Sequence, residues 1–332
     1  MNAKENMIAA LKCQQPADYV PIWEIEFQAW DNLSGKHVTL GREFGGLPRN
    51  EQDYAIHQNA EIIVETCIDL HFSALTVINS YWEVAPGHPS YYWLPEEWKK
   101  KQNALLQSLC EKNGIATVAG CSGMISMPGD INIHGDNYME FCYRIHDDPE
   151  SIDEWAKKTC ADGIESARMC RDAGFDIVVS PSDIADNKGP FYSPEQMDRW
   201  FYPYLRKWTE EVERMGLYSI LHTDGNVTSL LDDLAESRLY GLQAIDPLSG
   251  MDIAKAKVRV AGRLCLCGNM ETGLLITGTE DQIYESAGML LRCCKDGGGF
   301  VFGTSNAAMC ETPARNYRQT TEAWKKYGQY GA

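Results

Sequence analysis

The chain alternates short apolar runs with amphipathic stretches, and that beat limits it to few folds. Eight apolar segments lie at 20–27, 70–78, 115–120, 175–180, 217–222, 240–245, 263–268 and 299–303. Each is followed by a helical stretch, or by a long loop and then a helix. Strands that alternate with helices pair in parallel and carry the helices outside. Eight such units close as a (β/α)8 TIM barrel, here one α/β domain over 1–332 with an N-terminal helix from Ala3 to Lys12. An open doubly wound sheet is the competitor. A Gly-rich nucleotide loop after the first strand would mark it, and none follows.

In a barrel the carboxyl ends of the strands converge on one mouth. Those ends carry Glu24 and Glu26, Asn79, Cys121 and Ser122, Asp183 and Asp186, His222 and Asp224, Asp246, Cys267 and Asn269, and Thr304 and Asn306. The densest group is Leu221-His222-Thr223-Asp224-Gly225-Asn226. His222 and Asp224 are two apart, so an extended strand points them the same way. Two readings stay open for this pair. It is hydrogen-bonded and handles a proton, or it binds a divalent metal with Cys267 or Glu24 as a third ligand, zinc being the candidate.

Alternation over 19–27 puts Ile22, Glu24 and Glu26 on one face. If that face is buried, mutual repulsion raises a carboxyl pKa and leaves a proton donor; otherwise it is the solvated face of an edge strand. Tyr81, Trp82, Tyr91, Tyr92, Trp93 and Trp98 fall in a stretch broken by Pro86, Gly87, Pro89 and Pro95. It reads as a loop that serves the binding site, with Tyr81, Trp82 and Asn79 against substrate, or as a small aromatic core. Asn269 and Asn306 are placed to orient substrate oxygens, although Asn269 after Gly268 also suits a loop-shaping role. Asp246 before Pro247 suits a turn cap.

Composition narrows the partners. A net charge of -17 is the wrong sign for a phosphate backbone, so no nucleic acid is expected. No apolar stretch reaches the ~18 residues of a membrane span. The twelve cysteines include no CxxC pair and no zinc-finger spacing, and the N-terminus reads as a helix and not as a leader. Reduced thiols in a cytoplasmic protein are the expectation. A homodimer stays open.

Several stretches carry a resemblance to a known family. They are Gly189-Pro190-Phe191-Tyr192-Ser193-Pro194-Glu195, the His222-to-Asn226 segment, Asp246-Pro247, Cys267-Gly268-Asn269, Thr312-Pro313-Ala314-Arg315-Asn316 and Lys326-Tyr327-Gly328, with Pro16-Ala17-Asp18-Tyr19-Val20-Pro21-Ile22 near the start. Together they resemble the uroporphyrinogen decarboxylase superfamily, whose members are (β/α)8 barrels. True decarboxylases of that superfamily place arginines after the first strand to grip a porphyrinogen. Here the first Arg is Arg42, and Glu24, Glu26 and Asp31 would repel a polycarboxylate.

The other arm comprises methyltransferases that work with a corrinoid protein. Those acting on coenzyme M carry His-x-Cys after strand five and a further Cys after strand eight, which together hold zinc. Here Asp224 and Asn306 stand at the two thiolate positions. The His-Thr-Asp-Gly-Asn wording is similar to relatives that take methyl groups from methoxylated aromatics. The resemblance therefore implies an O-demethylase-type methyltransferase. Its methyl donor would be a small molecule, and its corrinoid would be supplied by a separate partner protein. It also implies an acid at the pocket wall, at Asp183. The alternatives are a lyase that decarboxylates a small carboxylic acid, transfer from methylcobalamin to a thiol or pterin, and a binding module without catalysis.

Overall fold

The computed structural model describes residues 1–77, 80–85, 88–126 and 135–331. Seven parallel strands lie side by side in chain order: Ala74–Thr76, Ala116–Gly120, Ile177–Pro181, Tyr218–Thr223, Gly241–Ala244, Cys265–Met270 and Phe300–Thr304. The first segment closes the ring. Ile22 bridges in parallel to both Phe72 and Phe302. The Trp23 N–H donates to the Phe302 carbonyl, Phe302 N–H to the Pro21 carbonyl, and Ser73 N–H to the Ile22 carbonyl. With that segment counted, eight strand positions make the expected barrel.

The closing segment differs from its sequence reading. It makes bridges at Ile22 and Phe27 and no regular ladder. Pro21 has no N–H to give to a ladder, so Ile22, Glu24 and Glu26 do not line one strand face. The closure is tight: a Cβ added at Gly303 would lie 2.0 Å from the Trp23 carbonyl oxygen.

The N-terminal helix, Ala3–Leu11, starts at an Asn2–Glu5 capping box. Its Met7, Ala10 and Leu11 pack among Val118, Ile177, Val179, Ile220, Cys265, Cys267 and Val301. Lys4 pairs with Asp176, just before the fourth strand, and Lys12 lies over the Tyr218 ring at the start of the fifth. The helix thus plugs the amino-terminal end of the barrel, and the carboxyl ends form the open end.

The outer helices follow the expected pattern. Glu96–Asn113 stops at Gly114 in the left-handed conformation. Pro149–Asp172 begins with Asp148 capping Ser151 N–H. Glu280–Cys294 buries Ile283, Ala287, Leu290, Leu291 and Cys294 at helical spacing, each large side chain contributing about 1.5–3 kcal/mol by burial. Short helices at Trp30–Ser34, Gly41–Gly46 and Thr272–Thr277 interrupt connections that show no periodicity in sequence. The aromatic stretch, expected as a loop, pairs as a hairpin of Ser80–Ala85 with His88–Trp93, and Pro89 stands opposite Val84. A two-stranded ribbon has only edge strands, and edges accept proline.

Candidate active site at the carboxyl ends of the strands

The fifth strand delivers His222 beside Gln243 of the sixth, and the two are direct partners in the parallel register. Gln243 is 1% exposed. Its Nε2 donates to the carbonyls of Thr304 at 3.1 Å and Ser305 at 3.3 Å, so both amide protons are spent. Its Oε1 is left to face His222 Nδ1. Nδ1 therefore carries the ring proton, and Nε2 presents a lone pair. That nitrogen lies 3.9 Å from Asp224 Oδ2, too far for a hydrogen bond.

Asp224 is held from three sides. Its N–H donates to Asp183 Oδ1 at 2.9 Å, and its Oδ2 accepts from Asn306 Nδ2 at 2.7 Å. Gly225 follows at φ 85°, where an added Cβ would lie 2.4 Å from the Ala185 carbonyl oxygen. The turn can sit against the fourth-strand loop because glycine occupies it, and Asn226 N–H donates to Asp186 O at 2.8 Å. Donor atoms of Asp183, His222 and Asp224 all lie within 4.8 Å of one another. Burial raises the Asp224 pKa; His222 draws it back, while the Asp183 and Asp246 carboxylates push it up. Among the described residues no Lys or Arg forms an ion pair with Asp183, Asp224 or Asp246.

Glu24 sits behind this group. Its Oε2 accepts from the Thr304 N–H at 2.9 Å and contacts Thr304 Oγ1, and its Oε1 accepts from Tyr317 O–H at 2.7 Å. Burial pushes its pKa up to about 7, against the pull of those donors. Repulsion by Glu26, the cause expected from sequence, is not among the causes. Glu26 is half-buried and bonded to Gln28 Nε2. Thr304 Oγ1 also contacts the Asn306 carbonyl. A hydroxyl has one proton, so both contacts are satisfied when Glu24 is protonated and donates to Oγ1, which donates onward to Asn306.

Asn269 is buried at the seventh strand end. Its Nδ2 donates to Ile245 O at 2.6 Å, while its Oδ1 has no partner among the described residues. Ala244 and Ile245, before it in space, hold φ of 97° and 49°. Such non-glycine conformations cost about 1–3 kcal/mol each and gather where function demands them. Asp246 caps the turn at Leu248 N–H, as its position before Pro247 suggested.

Other expected residues fall elsewhere. Cys267 does not reach the His222 cluster. It is 1% exposed and belongs to the layer packed on the N-terminal helix, where its Sγ and Leu11 are neighbours of Gly241. Strand alternation puts Cys267 one inward step below Asn269, so the thiol faces the plug. Asn79 lies outside the described residues. The backbones of Tyr81 and Trp82 belong to the hairpin, opposite Tyr92 and Tyr91. Gln243 and Tyr317 escaped the sequence reading. The available signal for Gln243 was a lone amide inside an apolar strand; Tyr317, on the last helix, gave none.

Comparisons with known proteins agree with this architecture. A family model for uroporphyrinogen decarboxylase (URO-D) matches residues 112–327. A uroporphyrinogen decarboxylase of Anaeromyxobacter dehalogenans (strain 2CP-C) is 25% identical over 134 residues, 40% of this chain and 37% of that protein. The methylcobamide:CoM methyltransferase MtaA of Methanosarcina barkeri is 22% identical over 214 residues, 64% of this chain and 59% of that protein. Both matches thus span less than two thirds of those relatives. A solved methyltransferase from Methanosarcina mazei shares the fold with a TM-score of 0.62 at 18% identity, covering 98% of this chain and 99% of that one.

Proposed function

The chain belongs to the uroporphyrinogen decarboxylase family, and from that premise we propose that it moves a methyl group from a small methyl donor to the cobalt of a separate corrinoid protein. A methoxylated aromatic is the donor class we favour. The observation that carries this reading is the Asn306–Asp224 hydrogen bond beside His222. By the resemblance in sequence, these are the two positions where coenzyme M enzymes hold thiolates. Here an amide and a carboxylate bind each other, and no thiol belongs to the cluster among the described residues. Such a site suits an oxygen leaving group in place of a thiol.

When the methyl–oxygen bond breaks, its electron pair stays on the departing oxygen. Asp183, Asp224 and Asp246 would repel that oxyanion. The charge must therefore meet a proton held at the cluster or a cation bound there. A divalent ion in that position would supply Lewis-acid stabilisation. The chain's own part is positional. Gln243 keeps His222 Nε2 facing Asp224, Asn306 fixes the Asp224 carboxylate, and Asn269 Oδ1 is a buried acceptor free to meet a substrate donor.

A porphyrinogen substrate is disfavoured on one half of the sequence argument, since repulsion by Glu24 drops out of it. Glu24 is committed to Thr304 and Tyr317 and is not exposed to a ligand. What remains is the lack of any Arg before Arg42.

The test incubates the protein with a reduced corrinoid protein and separate methoxyarene, methylamine, thioether and methanol donors, following the methyl–cobalt absorbance. We expect signal with a methoxyarene and loss of at least about 100-fold in rate for His222→Ala, the scale of one acid–base or electrostatic group. Silence with all donors would sink the proposal, as would release of CO2 from a small carboxylic acid without corrinoid.

A further inference from the structure

We infer that Cys293 and Cys294 form a dithiol site that captures a trivalent arsenical carrying one organic group. The pair ends the helix Glu280–Cys294, just before the last strand begins. It therefore lies at the amino-terminal end of the barrel, opposite the mouth, and owes nothing to the transfer reading. Neighbours on a helix do not face each other, yet these two sulfurs stand 3.4 Å apart. Cα atoms joined by one trans peptide are about 3.8 Å apart, closer than the roughly 4.4–6.8 Å that a disulfide spans. The pair resists closing on itself and suits a bridging atom. Two sulfurs each about 2.3 Å from such an atom stand about 3.4 Å apart when the bonds meet near 95°, and about 3.8 Å apart at the tetrahedral angle. The narrow angle belongs to a pyramidal trivalent centre with a lone pair. Tetrahedral zinc needs further ligands, and among the described residues no group of three ligating side chains includes either cysteine.

The two thiols divide the work. Cys293 is exposed and Cys294 buried. The Cys294 thiol donates to Cys293, and that bond brings the Cys293 pKa down to about 7 against the effect of burial. The same bond and burial hold the proton on Cys294. Thiolate is the nucleophile, so the exposed sulfur attacks arsenic first and carries it to the buried one. With an organic arsenic(III) oxide, two As–S bonds form and the bond from arsenic to oxygen breaks. The proton of Cys294 and the one Cys293 has released leave on that oxygen as water, and nothing is oxidised or reduced. Cys310, the other exposed thiol, has Glu311 Oε2 at 3.3 Å in place of a second sulfur. It can hold arsenic by one bond only.

The experiment adds phenylarsine oxide to the reduced full chain and follows intact mass, then the masses of its peptides. We expect one adduct, heavier by the arsenical less one water, on the peptide that holds both cysteines. Excess monothiol should leave it in place, and ethanedithiol should remove it. Cys294→Ala keeps a small apolar side chain at the buried position and leaves only a one-sulfur adduct. Monothiol should strip that adduct at least about 100-fold faster, the scale of losing the second of two linked bonds. Cys293→Ser, at an exposed position, should abolish capture, and Cys310→Ser should leave it unchanged. Absence of the adduct overturns the site, as does an adduct that maps to other residues. Equal retention by Cys294→Ala and the parent chain would overturn it too, since one sulfur would then suffice.

Discussion

Glu24 is 4% exposed, and its two oxygens accept from the Thr304 N–H and the Tyr317 hydroxyl while its own proton goes to Thr304 Oγ1. Burial lifts its pKa from the ordinary 4.5 to about 7, so the fold holds a proton that the unfolded chain gives up near 4.5. Between those values the folded state binds more protons, and stability falls as pH rises. The stability is fully present below 4.5 and lost through about 7. Some 2.5 units at ~1.4 kcal/mol per unit make the loss about 3 kcal/mol. Glu24→Gln can place its carbonyl on the Thr304 N–H and its amide on Tyr317, which then accepts. Urea unfolding at pH 5 and pH 8 should therefore show a drop smaller by about that amount in the variant. An equal drop in both proteins would place the titration elsewhere. The sequence announced Glu24 as a mouth residue but not its surroundings. Its partners lie 280 and 293 residues away, and no local pattern reports contacts of that range. His222 and Asp224 were legible because two residues on one strand fix their own relation. Gln243 was not, since spacing alone does not say which polar side chain in an apolar run is buried.

Closure of the barrel depends on elements that approach more closely than side chains allow. Gly303 in the last strand meets the Trp23 carbonyl of the first segment, and an added Cβ would lie at 2.0 Å. Gly303→Ala must part the two, and overpacking against backbone costs about 1–3 kcal/mol or more. Gly46 ends a short helix with nothing within 4 Å of an added Cβ, and alanine there should stabilise by about 0.5–1 kcal/mol. Denaturant midpoints of the two variants should move in opposite directions at unchanged m-value. A neutral Gly303→Ala would mean that the first segment is not bound to the last strand as described. The alternation of apolar runs and helices made the other seven strands legible, and the helix Glu96–Asn113 ends where Gly114 takes the left-handed conformation. The first strand was overread, because its alternating pattern survives in a segment where Pro21 removes the ladder donor. The hairpin at 80–93 was missed for the opposite reason: prolines argue against a central strand but not against a ribbon of two edges.

Across the molecule, all twelve cysteines are free thiols, in keeping with spacing that held no disulfide or zinc pattern. They differ sharply in environment. Cys67, Cys110, Cys121, Cys160, Cys265, Cys267 and Cys294 are buried, and only Cys293 and Cys310 are exposed. Cys293 Sγ lies 3.4 Å from that of Cys294, whose thiol stabilises the Cys293 thiolate and brings its pKa down to about 7. Burial and the neighbouring Glu311 carboxylate raise that of Cys310. Thiolate is the reactive form, so exposure alone predicts two fast thiols, whereas exposure with ionisation predicts one fast and one slower. At pH 8 an aromatic disulfide reagent should consume about one equivalent in a leading phase that Cys293→Ser abolishes. A second, slower equivalent should vanish with Cys310→Ser, and twelve should react once the chain is unfolded. A total of ten after unfolding would reveal a disulfide. A leading phase that survives Cys293→Ser would mean that the Cys294 thiol does not hold its neighbour's charge.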